Sequence, residues 1–161
     1  MTKQIQKISP FLWFDTQAEE AVNFYISIFE DSRVKTVTRY GDAGPGPAGS
    51  VMTISFELAG QEFVALNGGP IYKFTEAVSF VVNCETQEEI DRMWAKLSEG
   101  GSDIQCGWLK DKFGLSWQVV PVALFEFLRD PDPVKTQRVM RAMFQMVKLD
   151  LATLERAYKG E

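Results

Sequence analysis

Two stretches of the chain carry the same order of apolar and polar positions. The first runs Phe11-Leu12-Trp13-Phe14, then Asp15-Thr16-Gln17, then Glu19-Glu20 and an amphipathic segment ending near Phe29. The second runs Ser79-Phe80-Val81-Val82-Asn83, then Glu85-Thr86-Gln87-Glu88-Glu89 and a second amphipathic segment ending at Gly100-Gly101. Ala21, Val22, Tyr25, Ile28 and Phe29 recur at helical spacing, as do Ile90, Met93, Trp94 and Leu97. Thr16 with Glu19, and Thr86 with Glu89, fit the S/T-x-x-E capping box, in which a hydroxyl takes an orphan N–H at the helix start. Each stretch therefore predicts a short strand, an acidic-Thr-Gln turn and a capped helix, and their matching order points to an internal duplication.

Extended segments follow each helix. Val34–Tyr40, Val51–Leu58 and Glu62–Leu66 come after the first. Val51–Leu58 alternates, with Met52, Ile54, Phe56 and Leu58 on one face and Thr53, Ser55 and Glu57 on the other. Ala59-Gly60 supplies a hairpin turn. After the second helix come Ile104–Leu109 and Leu115–Val120, joined through Lys110–Gly114. The expected unit is a strand, a helix and three antiparallel strands, twice over. The fold class is α+β, with paired βαβββ modules at about 5–70 and 75–121 and helices at about 122–159, all in a single domain. In the tail, Asp132-Pro133 marks a helix start. Val139, Met140, Met143, Phe144 and Val147 read as one helical stripe, and Asp150 opens a last helix carrying Leu151, Leu154 and Tyr158. Gly41–Pro47 reads as a mobile loop: its two prolines lack N–H donors and no helix follows to cradle a phosphate.

Composition then removes whole classes of chemistry. There is no histidine in 161 residues. No Ser-His or Cys-His couple can form, and no imidazole can bind a metal. A net charge of −5, from 17 basic and 22 acidic side chains, argues against a nucleic-acid partner, which would require a basic patch. No apolar run is long enough to span a bilayer, and Met1–Gln6 has no signal-peptide character. Cys84 and Cys106 make no disulfide framework. The expectation is a cytoplasmic protein with reduced thiols.

Several motifs together resemble one family: Pro10–Phe14, Ala18–Val22, Phe24-Tyr25, Leu66-Asn67-Gly68-Gly69-Pro70, Gln105-Cys106-Gly107-Trp108-Leu109-Lys110-Asp111, Phe113-Gly114, Ser116-Trp117-Gln118, and the tail around Ala142-Met143 and Lys148–Ala157. It is the bacterial family labelled "3-demethylubiquinone-9 3-methyltransferase domain", PhnB-like, within the vicinal oxygen chelate superfamily of glyoxalase I, extradiol dioxygenases and bleomycin-resistance proteins. The resemblance implies an open, cupped sheet and a homodimer. Its label implies methyl transfer, but the sequence has no glycine-rich strand-to-helix turn with a downstream acidic residue. The superfamily also implies a divalent metal held by His and Glu. The first ligand position falls near Pro10 and the last near Gln118, so no metal and no cofactor are expected.

The candidate ligand-binding residues are Gln118, Ser116, Glu57, Glu62, Thr53, Ser55 and Asn67. In a two-residue hairpin Glu57 and Glu62 lie opposite one another: an acid–base pair, a hard-cation site, or two solvated carboxylates. Gln118 and Ser116 share one side of the last strand, either a ligand-contacting wall or an ordinary wet sheet face. Thr53 and Ser55 lie on the polar face with Glu57, and turn chemistry alone can explain Asn67. Cys106 could be a nucleophile if Lys110 or a helix N-terminus activated it, but like Cys84 it reads better as a small buried hydrophobe. The four tryptophans read as core, and Ser32-x-x-Lys35 is a weak pattern. Three functions remain open: metal-independent binding of a small organic molecule, an enzyme using carboxylate or Gln/Ser chemistry, and an interaction protein built around its homodimer interface.

Overall fold

The computed structural model describes residues 5–161, so the first four residues of the Met1–Gln6 segment lie outside the described chain. The chain divides after Phe74 into two compact units. Each contains one four-stranded sheet.

In the first unit, β1 (Phe11–Phe14) leads to α1 (Ala18–Ile28), followed by β2 (Arg33–Arg39), β3 (Val51–Leu58) and β4 (Gln61–Asn67). The strand order is β1-β4-β3-β2, with β1 parallel to β4 and the other pairs antiparallel. Buried Ala21, Val22, Tyr25 and Ile28 of α1 face the same core as Ile54, Phe56 and Leu58 of β3 and Phe63 and Ala65 of β4. This is the apolar side of the alternation in β3, and its burial is the main driving force for the unit. The turn between β3 and β4 has two residues, Ala59 (φ 47°) and Gly60 (φ 79°), both in the left-handed region that a type I′ turn requires.

Thr16 does not cap α1. The N-cap is Gln17 at φ −105°, ψ 12°, with no side-chain cap bond. The helix starts one residue later than the Thr16–Glu19 box requires, and Asn67 Oδ1 accepts from Ala18 N at 2.8 Å instead. Within the Gly41–Pro47 segment, Gly44 and Gly46 fold back over the ring of Tyr40, the residue after β2, so closely that a Cβ at Gly46 would sit 2.3 Å from it.

In the second unit, β5 (Ser79–Cys84) leads to α2 (Gln87–Leu97), β6 (Ser102–Asp103), β7 (Trp108–Lys110) and β8 (Ser116–Pro121). The order is β5-β8-β7-β6, with β5 parallel to β8, so the βαβββ pattern of the first unit repeats. Here the capping box forms. Thr86 Oγ1 accepts from Glu89 N at 3.2 Å, and the Glu89 carboxylate accepts from Glu85 N at 2.8 Å. Ile90, Met93, Trp94 and Leu97 are buried on one face of α2.

The expected strand Ile104–Leu109 is interrupted. Only Ser102–Asp103 and Trp108–Lys110 pair, because Cys106 (φ 62°) and Gly107 (φ 82°) turn the chain through the left-handed region. Their N–H groups instead donate to Met146 O (2.9 Å) and Val147 O (2.8 Å).

Three helices end the chain: α3 (Val122–Leu128), α4 (Pro133–Met143) and α5 (Leu151–Lys159). Asp132 and Asp150 cap the last two through their carboxylates, each at 2.8 Å. α3 follows β8 directly, with Pro121, the last residue of the strand, as its N-cap. The stripe read from Val139 to Val147 is split. α4 stops at Met143, and Val139 is buried with Val120, Leu124, Leu149 and Leu154. Phe144 and Val147, beyond the helix, remain exposed. Gln87 ties this layer to α2, donating to Leu149 O at 3.2 Å and accepting from Leu151 N at 2.8 Å.

Candidate functional site

The polar face of the first sheet brings together four of the candidate residues and supplies each with a cross-strand partner. Ser55 hydrogen-bonds Thr36, and Thr53 hydrogen-bonds Thr38, each at 2.5 Å. Glu57 and Glu62 lie directly opposite across β3 and β4. Between them sits the Lys35 ammonium, 3.4 Å from Glu57 and in close contact with Glu62, while Arg33 Nε donates to Glu57 at 2.9 Å. A register shift between Val34 and Thr36 makes Lys35 the extra residue of a bulge, which aims its side chain at both carboxylates. Arg33 first, then Lys35, hold the Glu57 carboxyl below its ordinary value, and Glu62 first raises Lys35. The cation that two opposed glutamates need is therefore supplied by the chain itself.

Asn67 is equally committed. Its Oδ1 takes Ala18 N and its Nδ2 donates to Val51 O at 3.1 Å. It borders a cavity of about 580 Å³ with Asp15, Glu19, Arg39 and Tyr40, but its amide is spent on the backbone. Gly68 beside it allows a close approach: a Cβ there would meet the Trp13 indole at 2.4 Å, and that indole donates to Gly69 O at 2.9 Å.

In the second unit the Lys-Asp-x-Phe-Gly-x-Ser-Trp-Gln motif resolves into a clamp and a wall. The clamp is Asp111, 3% exposed, whose carboxylate accepts from Phe113 N (2.8 Å), Leu115 N (3.0 Å) and Trp117 Nε1 (2.9 Å). It fixes the β7–β8 turn and locks the Trp117 ring on one side of β8. Gln118 and Ser116 point to the other side. Gln118 Nε2 donates to Ser79 Oγ across the sheet at 2.9 Å. Ser116 is fully buried, and its Oγ has no partner among the described residues.

Gln118 borders a cavity of about 560 Å³. Ile104, Trp108 and Val120 form its sheet side, and Leu124, Phe125, Leu128, Met143 and Phe144 its helical side. Gln105, Cys106 and Glu76 complete the rim. Glu76 is paired with Lys110, which holds its carboxyl below the ordinary value. Cys106 is half-buried here and is not part of the core, whereas Cys84 is fully buried, and burial pushes its thiol up to about 12. Trp108 likewise lines the cavity, while Trp94 and Trp117 are core. Among the helical-side residues, Met143 and Phe144 read in the sequence as part of an ordinary apolar stripe, and Leu124, Phe125 and Leu128 carry no sequence pattern that marks them as site residues.

The donors at the expected metal positions do not suit a transition metal. Pro10 offers only a carbonyl, already bonded to Val64 N at 2.9 Å, and Gln118 is a neutral amide bound to a serine. Among the described residues, no group of three or more Cys, Asp and Glu side chains is placed to hold a metal ion.

The sequence profile of the family described as 3-demethylubiquinone-9 3-methyltransferase matches residues 6–120. The chain belongs to this family. A Bacillus cereus PhnB protein carrying the same methyltransferase description is 41% identical, with 73% of this chain aligned to 100% of that one at a TM-score of 0.67. A protein from Pseudomonas aeruginosa is 22% identical, covering 73% and 98%, at a TM-score of 0.60. The fosfomycin resistance protein FosX of Listeria monocytogenes is 14% identical, covering 80% and 99%, at 0.57, and shares the fold alone. No curated protein matches the sequence. The PhnB-like chain thus shares with these structures a fold built from two βαβββ units, and residues 121–161 lie beyond the family match. No helix among the described residues is long and apolar enough to cross a membrane.

Proposed function

We propose that this PhnB-like chain binds a small organic molecule in the cavity of its second unit, without a metal. The observation that carries the reading is a cavity of about 560 Å³, within the range of ligand sites, with apolar walls and one oriented amide, Gln118. Catalysis by the carboxylate pair is less favoured, since Arg33 and Lys35 neutralise Glu57 and Glu62. Catalysis by Ser116 lacks a base within hydrogen-bond reach among the described residues. Methyl transfer of the common kind also lacks support: the strand-to-helix turns Asp15–Gln17 and Glu85–Thr86 contain no glycine.

The exposed Phe144 and Val147 support a homodimer with the tail near its twofold axis, and two free cysteines support a reducing, cytoplasmic setting. Light scattering across micromolar concentrations should give the dimer mass, and a monomer would overturn that part. For binding, the test is a fluorescence titration with the neutral apolar probe N-phenyl-1-naphthylamine. Saturable uptake of one probe per chain, unchanged by prior dialysis against EDTA, is expected. No saturable uptake, or loss of uptake after EDTA, would overturn the reading.

A further inference from the structure

We infer that the C-terminal extension, beyond the family match, is the selectivity wall of this cavity and restricts it to neutral, ring-bearing molecules. The inference rests on the binding reading above and concerns which part of the chain chooses the ligand. The family match ends at residue 120, and the whole Bacillus cereus chain aligns to only 73% of this one, yet the helical side of the cavity, five of its twelve lining residues, is built from residues after 121.

Two anchors hold that side in place. Pro121 ends β8, α3 begins at the next residue, and Leu124 is buried against Val120, so Phe125 and Leu128 stand beside the strand that carries Gln118. At the other end, the segment after α4 is bonded through Met146 O and Val147 O to the Cys106-Gly107 turn. Gly107 permits that approach: a Cβ there would sit 2.9 Å from Val119 O and 3.0 Å from the Leu149 side chain. A wall bonded at both ends selects by shape.

The lining sets the chemistry. Trp108, Phe125 and Phe144 offer ring faces and edges to a flat ligand. Among the described residues Glu76 is the one charged side chain on the rim, and it is already paired with Lys110. An anionic ligand would face that carboxylate, and a cationic one would have to displace Lys110. Gln118 donates one N–H to Ser79, which leaves its carbonyl and second N–H to orient a single polar group of the ligand.

The experiment compares N-phenyl-1-naphthylamine with 1-anilinonaphthalene-8-sulfonate, which has the same rings and a negative charge, on the full chain. The neutral probe should bind at least tenfold more tightly. Phe125→Ala and Leu128→Ala should each weaken it at least fivefold, while Val134→Ala, on an exposed residue of α4 away from the cavity, should leave it unchanged. Phe125 is 39% exposed, so its truncation spares the core, and Phe125→Leu replaces it should the alanine variant melt early. If Trp108→Ala weakens binding while both extension variants stay within twofold of the parent, the wall assignment falls and the cavity reading stands. Equal affinity for the two probes overturns the neutral-ligand assignment. No saturable binding by the parent removes the cavity reading itself.

Discussion

Glu57 and Glu62 face each other across the β3–β4 hairpin and share the ammonium of Lys35. Lys35→Met removes the shared cation and leaves like charges opposed. The depressed Glu57 carboxyl gives stability above its ordinary value of 4.5, and this is lost as pH falls through the lower folded value. The raised Lys35 gives stability below 10.5, lost as pH rises through its folded value. The variant should therefore melt below the parent at pH 7, with the gap narrowing towards pH 4 as the Glu57 carboxylate takes up a proton. Melting curves at pH 7 and 4 check this, and a constant gap would refute the sharing.

Ala59 holds a left-handed conformation, φ 47°, at the first position of that hairpin's turn. A residue with a Cβ pays roughly 1–2 kcal/mol there, which glycine avoids. Ala59→Gly should gain about 1 kcal/mol after its greater unfolded-state freedom is subtracted. Urea unfolding with an unchanged m-value should show the midpoint rising.

Much of this geometry is legible in the sequence, and the limits have physical causes. The alternation of Val51–Leu58, the two-residue turn and the Thr86 cap are local, and local rules find them. Thr16 fits the same cap pattern as Thr86 but loses the role to Asn67, which lies 49 residues beyond the Ala18 N–H it accepts from, a tertiary partner invisible to spacing. The Ile104–Leu109 strand fails for a similar reason: the N–H groups of Cys106 and Gly107 are taken by carbonyls at 146 and 147. The bulge that brings Lys35 to the glutamates has no composition signal at all. Cavity walls are the hardest to read, because Gln118 and Phe125 become neighbours only once Leu124 has been buried.

Asp111 gathers three donors in a buried site, so its loss should be felt far from any ligand. Asp111→Ala leaves two backbone N–H groups and the Trp117 indole without their acceptor, at about 1–3 kcal/mol for each donor that water cannot reach. A loss of roughly 3 kcal/mol or more is expected, with Asp111→Asn in between. Trp117 emission should shift to the red in both variants. Unchanged stability for Asp111→Ala would refute the clamp.

Ser116 presents the opposite case. Its buried hydroxyl has no partner among the described residues, so Ser116→Ala removes a desolvated polar atom and should be neutral or stabilising by up to about 1 kcal/mol. It shares a face with Gln118 but does not line the cavity, so probe binding should stay within twofold. A large loss of stability, or of binding, would show that the hydroxyl has a partner it needs.

The two cysteines should separate in a single experiment. Cys106 is half-buried on the cavity rim and should react with Ellman's reagent in the native protein. Cys84 is fully buried and should react only on unfolding. Its folded value of about 12 against an ordinary 9 also has a thermodynamic sign. Between those values the folded thiol keeps its proton while the unfolded one loses it, so the unfolded state binds fewer protons and stability falls as pH rises. Cys84→Ala removes this dependence at the cost of a small cavity. Its deficit against the parent should therefore shrink between pH 8 and 10.5. Two fast thiols in the native state, or a deficit independent of pH, would contradict the burial of Cys84.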